Sequence, residues 1–168
     1  TNLWTKLSTT NTPPGRGVFG MEWSQKDDDI FYIYGGEVFG GTQLLRDLWE
    51  FDISTNTWTN LTSPTSPETA NYGAFAVTKK DEFIVGFGET NFPETECLTP
   101  SVINQAHSLT TNTYKYEDDD WELLDSTEFV PGLKRPAYTY NSRRKNVYVY
   151  GGVNIVCGPD NNANNTNA

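Results

Sequence analysis

The sequence predicts an all-β chain built from one four-stranded antiparallel unit used repeatedly, and three observations predict it. The 168 residues hold 14 Gly, 9 Pro, 5 Trp, 9 Tyr and 9 Phe beside many Thr, Asn and Ser, a composition of short strands and tight turns. No stretch keeps a helical apolar period, and chain breakers recur too often for a long helix. Three short apolar runs each stop at glycine: Phe31-Tyr32-Ile33-Tyr34-Gly35-Gly36, Phe83-Ile84-Val85-Gly86-Phe87-Gly88 and Val147-Tyr148-Val149-Tyr150-Gly151-Gly152.

In chain order, the first strand signal is Leu3-Trp4-Thr5-Lys6-Leu7, and it recurs around Trp58 and Trp121. After each Trp and a polar stretch comes a small-and-aromatic segment: Arg16-Gly17-Val18-Phe19, then Asn71 to Phe75, then Arg135 to Tyr138. Charged turns follow at 26–29, 79–82 and 143–146, and each leads into a glycine-ended run. Beyond a loop, a further strand ends in an aromatic: Leu48-Trp49-Glu50-Phe51 in the first unit, Tyr114-Lys115-Tyr116 in the second. Phe51 precedes Trp58 by seven positions, and Tyr114 precedes Trp121 by seven, so Tyr114 reads as the counterpart of Phe51. The Trp-to-Trp spacings of 54 and 63 differ mainly in one loop, which closure entropy tolerates at little cost.

Each unit therefore reads as strands A (small and aromatic), B (glycine-ended), C (ending in Phe or Tyr) and D (around Trp), an antiparallel meander. The B runs are apolar on both faces and need cover on both sides. Four-stranded units of about 50 residues stacked face to face around an axis are propeller blades. The expected division is a propeller segment over 1–152 and a loop or polar tail over 153–168. The segment comprises strand D of a preceding blade at 3–7, blade one at 16–61, blade two at 71–124 and half of blade three at 135–152.

The pattern resembles the kelch repeat, whose marks are a hydrophobic strand ending in Gly-Gly and an aromatic separated by six residues from a Trp. Gly35-Gly36 with Phe51 and Trp58 carries it in blade one. Phe87-Gly88 with Tyr114 and Trp121 carries it in blade two, and Gly151-Gly152 in blade three. Phe87 stands where Gly35 and Gly151 stand, which predicts a shift or bulge at that strand end. The resemblance implies a ring of about six blades. About two and a half blades do not close one, so further blades of the same protein or neighbouring chains are expected to complete it.

The glycines read as structural, and no helix or Lys-Ser/Thr follows them as a phosphate loop requires. Trp4, Trp58 and Trp121 read as packing residues between blades, and Trp23 and Trp49 as packing residues too. His107 is the single histidine and has no designated partner for catalysis. Asp27-Asp28-Asp29 and Asp118-Asp119-Asp120 read as solvated turns, since neither has the ligand spacing of a calcium loop. No cofactor or metal is expected.

Cys97 and Cys157 fall in corresponding loops of neighbouring blades, which makes them a candidate disulfide and points to an oxidising compartment. The sequons at Asn60 and Asn164 point the same way, toward the secretory pathway or cell exterior, with the cytoplasm as the alternative. Net charge is −10 with no basic footprint, which disfavours nucleic acid, and no run is long enough for a membrane span.

The function expected is non-catalytic: a protein-interaction or assembly module whose B–C loops (37–47, 89–113) and D–A linkers (62–70, 125–134) share one end. Glu37, Phe39, Arg46, Phe92, Glu94, Glu96 and His107 are its candidate binding residues. Two alternatives stand beside it. One is a self-assembling surface subunit. The other is part of a propeller enzyme, of the copper-oxidase or iron-lyase kind that the resemblance admits, with its site in other blades.

Overall fold

The computed structural model describes residues 3–38, 43–67, 73–88, 112–125, 133, 135–157 and 163–167, with backbone alone for 153–157 and 163–167. All regular structure among them is β. Blade one holds β1 (Arg16–Gly17), β2 (Gly20–Trp23), β3 (Ile30–Val38), β4 (Leu44–Asp52) and β5 (Thr57–Asn60). Its strand A is split in two: β1 and β2 both pair with β3, and β4 and β5 follow in antiparallel order. Val18 in the break has φ 48°, a left-handed conformation that a β-branched residue rarely takes. Blade two holds β6 (Ala74–Val77), β7 (Phe83–Gly86), β8 (Thr113–Glu117) and β9 (Asp120–Leu124), a four-stranded meander. Blade three contributes the hairpin of β10 (Ala137–Asn141) and β11 (Asn146–Tyr150).

The glycine-ended runs share one backbone device. The first position has φ 63°, 63° and 65° at Gly35, Phe87 and Gly151, and the second has φ 96°, 87° and 102° at Gly36, Gly88 and Gly152. Phe87 therefore adopts the glycine conformation, and the expected distortion at that strand end takes the form of local strain, of order 1–3 kcal/mol. The register shift lies in blade one: Tyr34 pairs with Leu48 but Gly36 with Leu45, which leaves one extra residue on β4 opposite Gly35.

Three sequence expectations change. Tyr116, not Tyr114, occupies the place of Phe51: Phe51 pairs with Phe31 and Trp58, and Tyr116 pairs with Phe83 and Trp121. The C–D turn is two residues in blade two, Asp118-Asp119 with φ 53° and 65°, but four in blade one, so equal sequence spacing conceals a two-residue offset. Residues 153–167 are no simple tail, because β12 (Val153–Cys157) pairs with β13 (Ala163–Asn167). In blade one β3 likewise continues past Gly36 and pairs Glu37 with Leu44, so β13 stands where a strand C begins. A backbone ladder needs no apolar side chains, which is why the Asn-rich sequence hid it. Residues 3–9 form no strand, and Trp4 is fully exposed rather than packed. A strand D needs a strand C beside it, and no described strand pairs with this segment. Contact with blade one begins at Thr10, bridged in parallel to Thr57 on β5.

Blades one and two meet through an aromatic seam. Tyr34 stacks on Phe75 at 5.8 Å and meets Trp121 at 5.2 Å, while Tyr32 meets Phe83 at 4.7 Å. Tyr34 also donates its buried hydroxyl to the Pro67 carbonyl at 2.9 Å, which ties down the D–A linker. Such contacts contribute about 0.5–1.5 kcal/mol per ring pair beyond area burial. Trp58 turns to the other face of blade one, against Phe31 and Phe51 at 5.5 and 4.7 Å. At the opposite end of the seam, Asp81 of blade two accepts hydrogen bonds from Ser24 Oγ and Gln25 N of blade one.

Candidate functional site

The B–C and D–A end of the blades is organised by a side chain that the strand pattern marks only as a segment start. Arg16, on β1, reaches under the diglycine turn. Its Nη1 donates to the Gly35 carbonyl at 3.0 Å and to Asp47 Oδ1 at 2.6 Å, and its Nη2 to Asp47 Oδ2 at 2.8 Å. Trp49 Nε1 donates to the same Oδ2 at 2.6 Å. The Arg16 side chain is 3% exposed. A bidentate guanidinium–carboxylate pair of this kind combines charge with fixed geometry. Burial pushes the Asp47 carboxyl up, but hydrogen bonds from Arg16 and Trp49 and the guanidinium charge outweigh it and hold Asp47 below its ordinary value. Trp49, expected to pack, is thus a hydrogen-bond donor to this support.

Above this support, Glu37 and Arg46 lie on adjacent strands. Glu37 on β3 is in register with Gly17 and Leu44, and Arg46 lies in the β4 irregularity opposite Gly35. These two of the seven candidate binding residues come together at one end of blade one. Phe39, Phe92, Glu94, Glu96 and His107 lie outside the described residues, as does Cys97. A cleft of about 270 Å3 lies between the strand-A starts of all three blades, lined by Val18, Phe19, Gly73, Arg135 and Tyr138. Val18 and Phe19 are 39% and 38% exposed there. Arg135, like Val18, has a left-handed backbone, φ 56°. The sequence signal for this cleft was the recurrence of the small-and-aromatic segment, which shows a strand and not a shared mouth.

The acidic triplets are bonded within the protein. Asp27 Oδ1 accepts from Asp29 N at 2.9 Å, and Asp119 Oδ1 accepts from the Tyr116 hydroxyl at 3.3 Å. Asp120 Oδ1 accepts from Thr65 Oγ1 and Trp121 N at 2.5 and 2.8 Å, which holds its carboxyl below the ordinary value. Among the described residues, no group of three or more His, Cys, Asp and Glu side chains converges in a way that could hold a metal ion. No helix among them is long and apolar enough to cross a membrane.

Four-stranded meanders with recurring left-handed pairs at the ends of their B strands, stacked through aromatic seams, are the blades of a kelch-type β-propeller. A family profile described as the Attractin/LZTR1 beta-propeller matches residues 1–166, and the chain belongs to that family. No curated protein sequence matches it. Propeller domains of this family are typical of protein-interaction modules and are generally non-catalytic, and its members occur both outside cells and in the cytoplasm.

Proposed function

We propose that the chain is a non-catalytic protein-interaction module that presents the B–C and D–A end of its blades to a protein partner. The observation that carries this reading is the joint placement of Glu37, Arg46 and the Val18–Phe19–Tyr138 cleft at one end, braced from beneath by the buried Arg16–Asp47 pair. Exposed aromatic and apolar groups rimmed by opposite charges suit a protein surface. Phe39, Phe92, Glu94, Glu96 and His107 extend the same proposed face along the B–C loops.

Quantitative affinity capture with the full chain and with a Glu37→Lys/Arg46→Glu variant tests it. The expected result is loss of specific partners at unchanged circular dichroism. Partners retained in full by the variant, but lost on Lys80→Glu at the opposite end, would overturn the choice of face.

For the compartment, we infer the secretory pathway or cell exterior. Asn60 is exposed, and its Oδ1 accepts from Thr62 N at 2.8 Å, so the sequon forms a local turn at the end of β5. Asn164 lies in β13 and Cys157 in β12, and the Cys97–Cys157 pairing belongs to the same proposal.

A further inference from the structure

The seam between blades one and two carries a row of ionisable groups that packing alone does not require. Glu22 on β2 pairs in register with Tyr32 on β3, and Tyr32 pairs in register with Glu50 on β4. Register partners project from the same face of a sheet. Tyr32 is 5% exposed and its ring meets Phe83 of blade two, so this row faces the neighbouring blade. Two carboxyls thus flank a buried phenol where two sheets meet.

The surroundings are acidic. Asp81, from the A–B turn of blade two, acts on both Tyr32 and Glu50, and Asp27 and Asp52 act on Glu50 from blade one. Tyr138 on β10 is the ionisable group of blade three that faces Glu22. Neither β5 nor β6, which pack against β4 and β2, carries an ionisable side chain. Of the cations at this end, Lys26 lies 3.9 Å from Asp81 with its side chain 55% exposed, and Lys80 and Lys115 pair with Glu82 at 3.2 and 3.4 Å.

We propose that the Glu22–Tyr32–Glu50 row makes this seam an acid-tightened joint. Its carboxyls dock against blade two more favourably when protonated, and when ionised they carry charge into the seam. Strands two apart lie about 10 Å from each other, so burial acts on each carboxyl more strongly than the other's charge does. In keeping with this, burial holds Glu22 above its ordinary value. Burial also raises Glu50; the Tyr32 hydrogen bond opposes this, but with the charges of Asp52, Asp81 and Asp27 the net direction is upward.

A carboxyl raised in the folded state contributes stability below its unfolded value, near 4.5, and loses that contribution as pH rises through its folded value. Carboxyls held low, such as Asp47, Asp52 and Asp120, act only below their ordinary value of 3.8, so they do not contribute to the interval from pH 5.0 to 7.5.

Thermal unfolding of the full chain at pH 5.0 and 7.5 tests the joint. The expected melting temperature is about 3 °C higher at pH 5.0. A Glu22→Gln/Glu50→Gln variant should lose most of that difference and match or exceed the parent at pH 7.5. Every other titratable group is present in both proteins, so the difference between them reads the two carboxyls. A flat or inverted profile in the parent, or an unchanged slope in the variant, would overturn the proposal. Carboxyl 13C titration of Glu22 and Glu50 in the unsubstituted chain is an independent reading that needs no variant to fold. Midpoints above 4.5 support the joint, and midpoints at or below 4.5 overturn it.

Discussion

Single residues decide how each glycine-ended strand turns. At Gly36, φ is 96° and an added Cβ would lie 2.5 Å from the Gly17 carbonyl oxygen, so conformation and space both demand glycine. At the first position of the pair, Gly151 of blade three has nothing within 4 Å of an added Cβ, so only conformation is at stake there, and blade two places Phe87 at that position. Asp47 is the second residue on which this end depends. Asp47→Asn leaves the Arg16 guanidinium buried without its counter-charge, and the expected cost at pH 7 is about 3 kcal/mol in urea unfolding. Because the Asp47 carboxyl is held low, its contribution is complete above the ordinary value of 3.8 and is lost as pH falls through the lower, folded value. The stability gap between parent and variant should therefore close on acidification below that point. A gap that stays constant down to about pH 2.5 would show that the Arg16–Asp47 charge pair is not its source.

At the scale of elements, the joint between strands A of adjacent blades sets how closely they approach. Gly20 on β2 faces Phe75 on β6, and a Cβ on Gly20 would sit 2.3 Å from the Phe75 Cβ. That atom belongs to no flexible end, so the blades must separate. Gly20→Ala should cost about 1–3 kcal/mol by overpacking, with a matching fall in melting temperature. Phe75→Leu in the same background should give no rescue, since the clashing atom remains; full rescue would mean that ring size is at fault. The repeat was legible in the sequence at this scale, because strand periodicity and glycine stops are local signals. The Tyr114-for-Tyr116 offset was not, since turn length changes strand pairing without changing residue spacing. The β12–β13 pairing was hidden for a related reason: the polar, Asn-rich stretch Ala163–Asn167 gives no burial signal, so 153–168 read as a loop or polar tail.

In the whole molecule, two equivalent strand-B faces have different fates. Tyr32 and Tyr34 of blade one are 5% and 2% exposed beneath blade two, whereas Tyr148 and Tyr150 in the same places of blade three are 47% and 84% exposed. Blades two and three also touch at the diglycine end, where Gly88 N donates to the Leu133 carbonyl at 2.7 Å. That contact brings the B-strand end of blade two beside the start of blade three, which supports a Cys97–Cys157 link between their loops. Intact-mass analysis after thiol alkylation is expected to show no label without reductant and two labels with it. Two labels without reductant would remove the link and, with it, the main support for an oxidising compartment.

By itself the sequence determined the all-β class, the repeating unit and the kelch-type blade, because strand alternation, glycine stops and Trp spacing are written locally. It also placed Glu37 and Arg46 at one end of a blade, since an antiparallel meander leaves little choice of end. Only the tertiary structure decided that Arg16 reaches Asp47 across thirty-one positions, that Gly20 must stay small beneath Phe75, and that Glu22 and Glu50 flank Tyr32 in the seam. Those relations depend on which residues meet across strands and blades. Register, turn length and close packing set them, and none of the three is carried by any one stretch of chain.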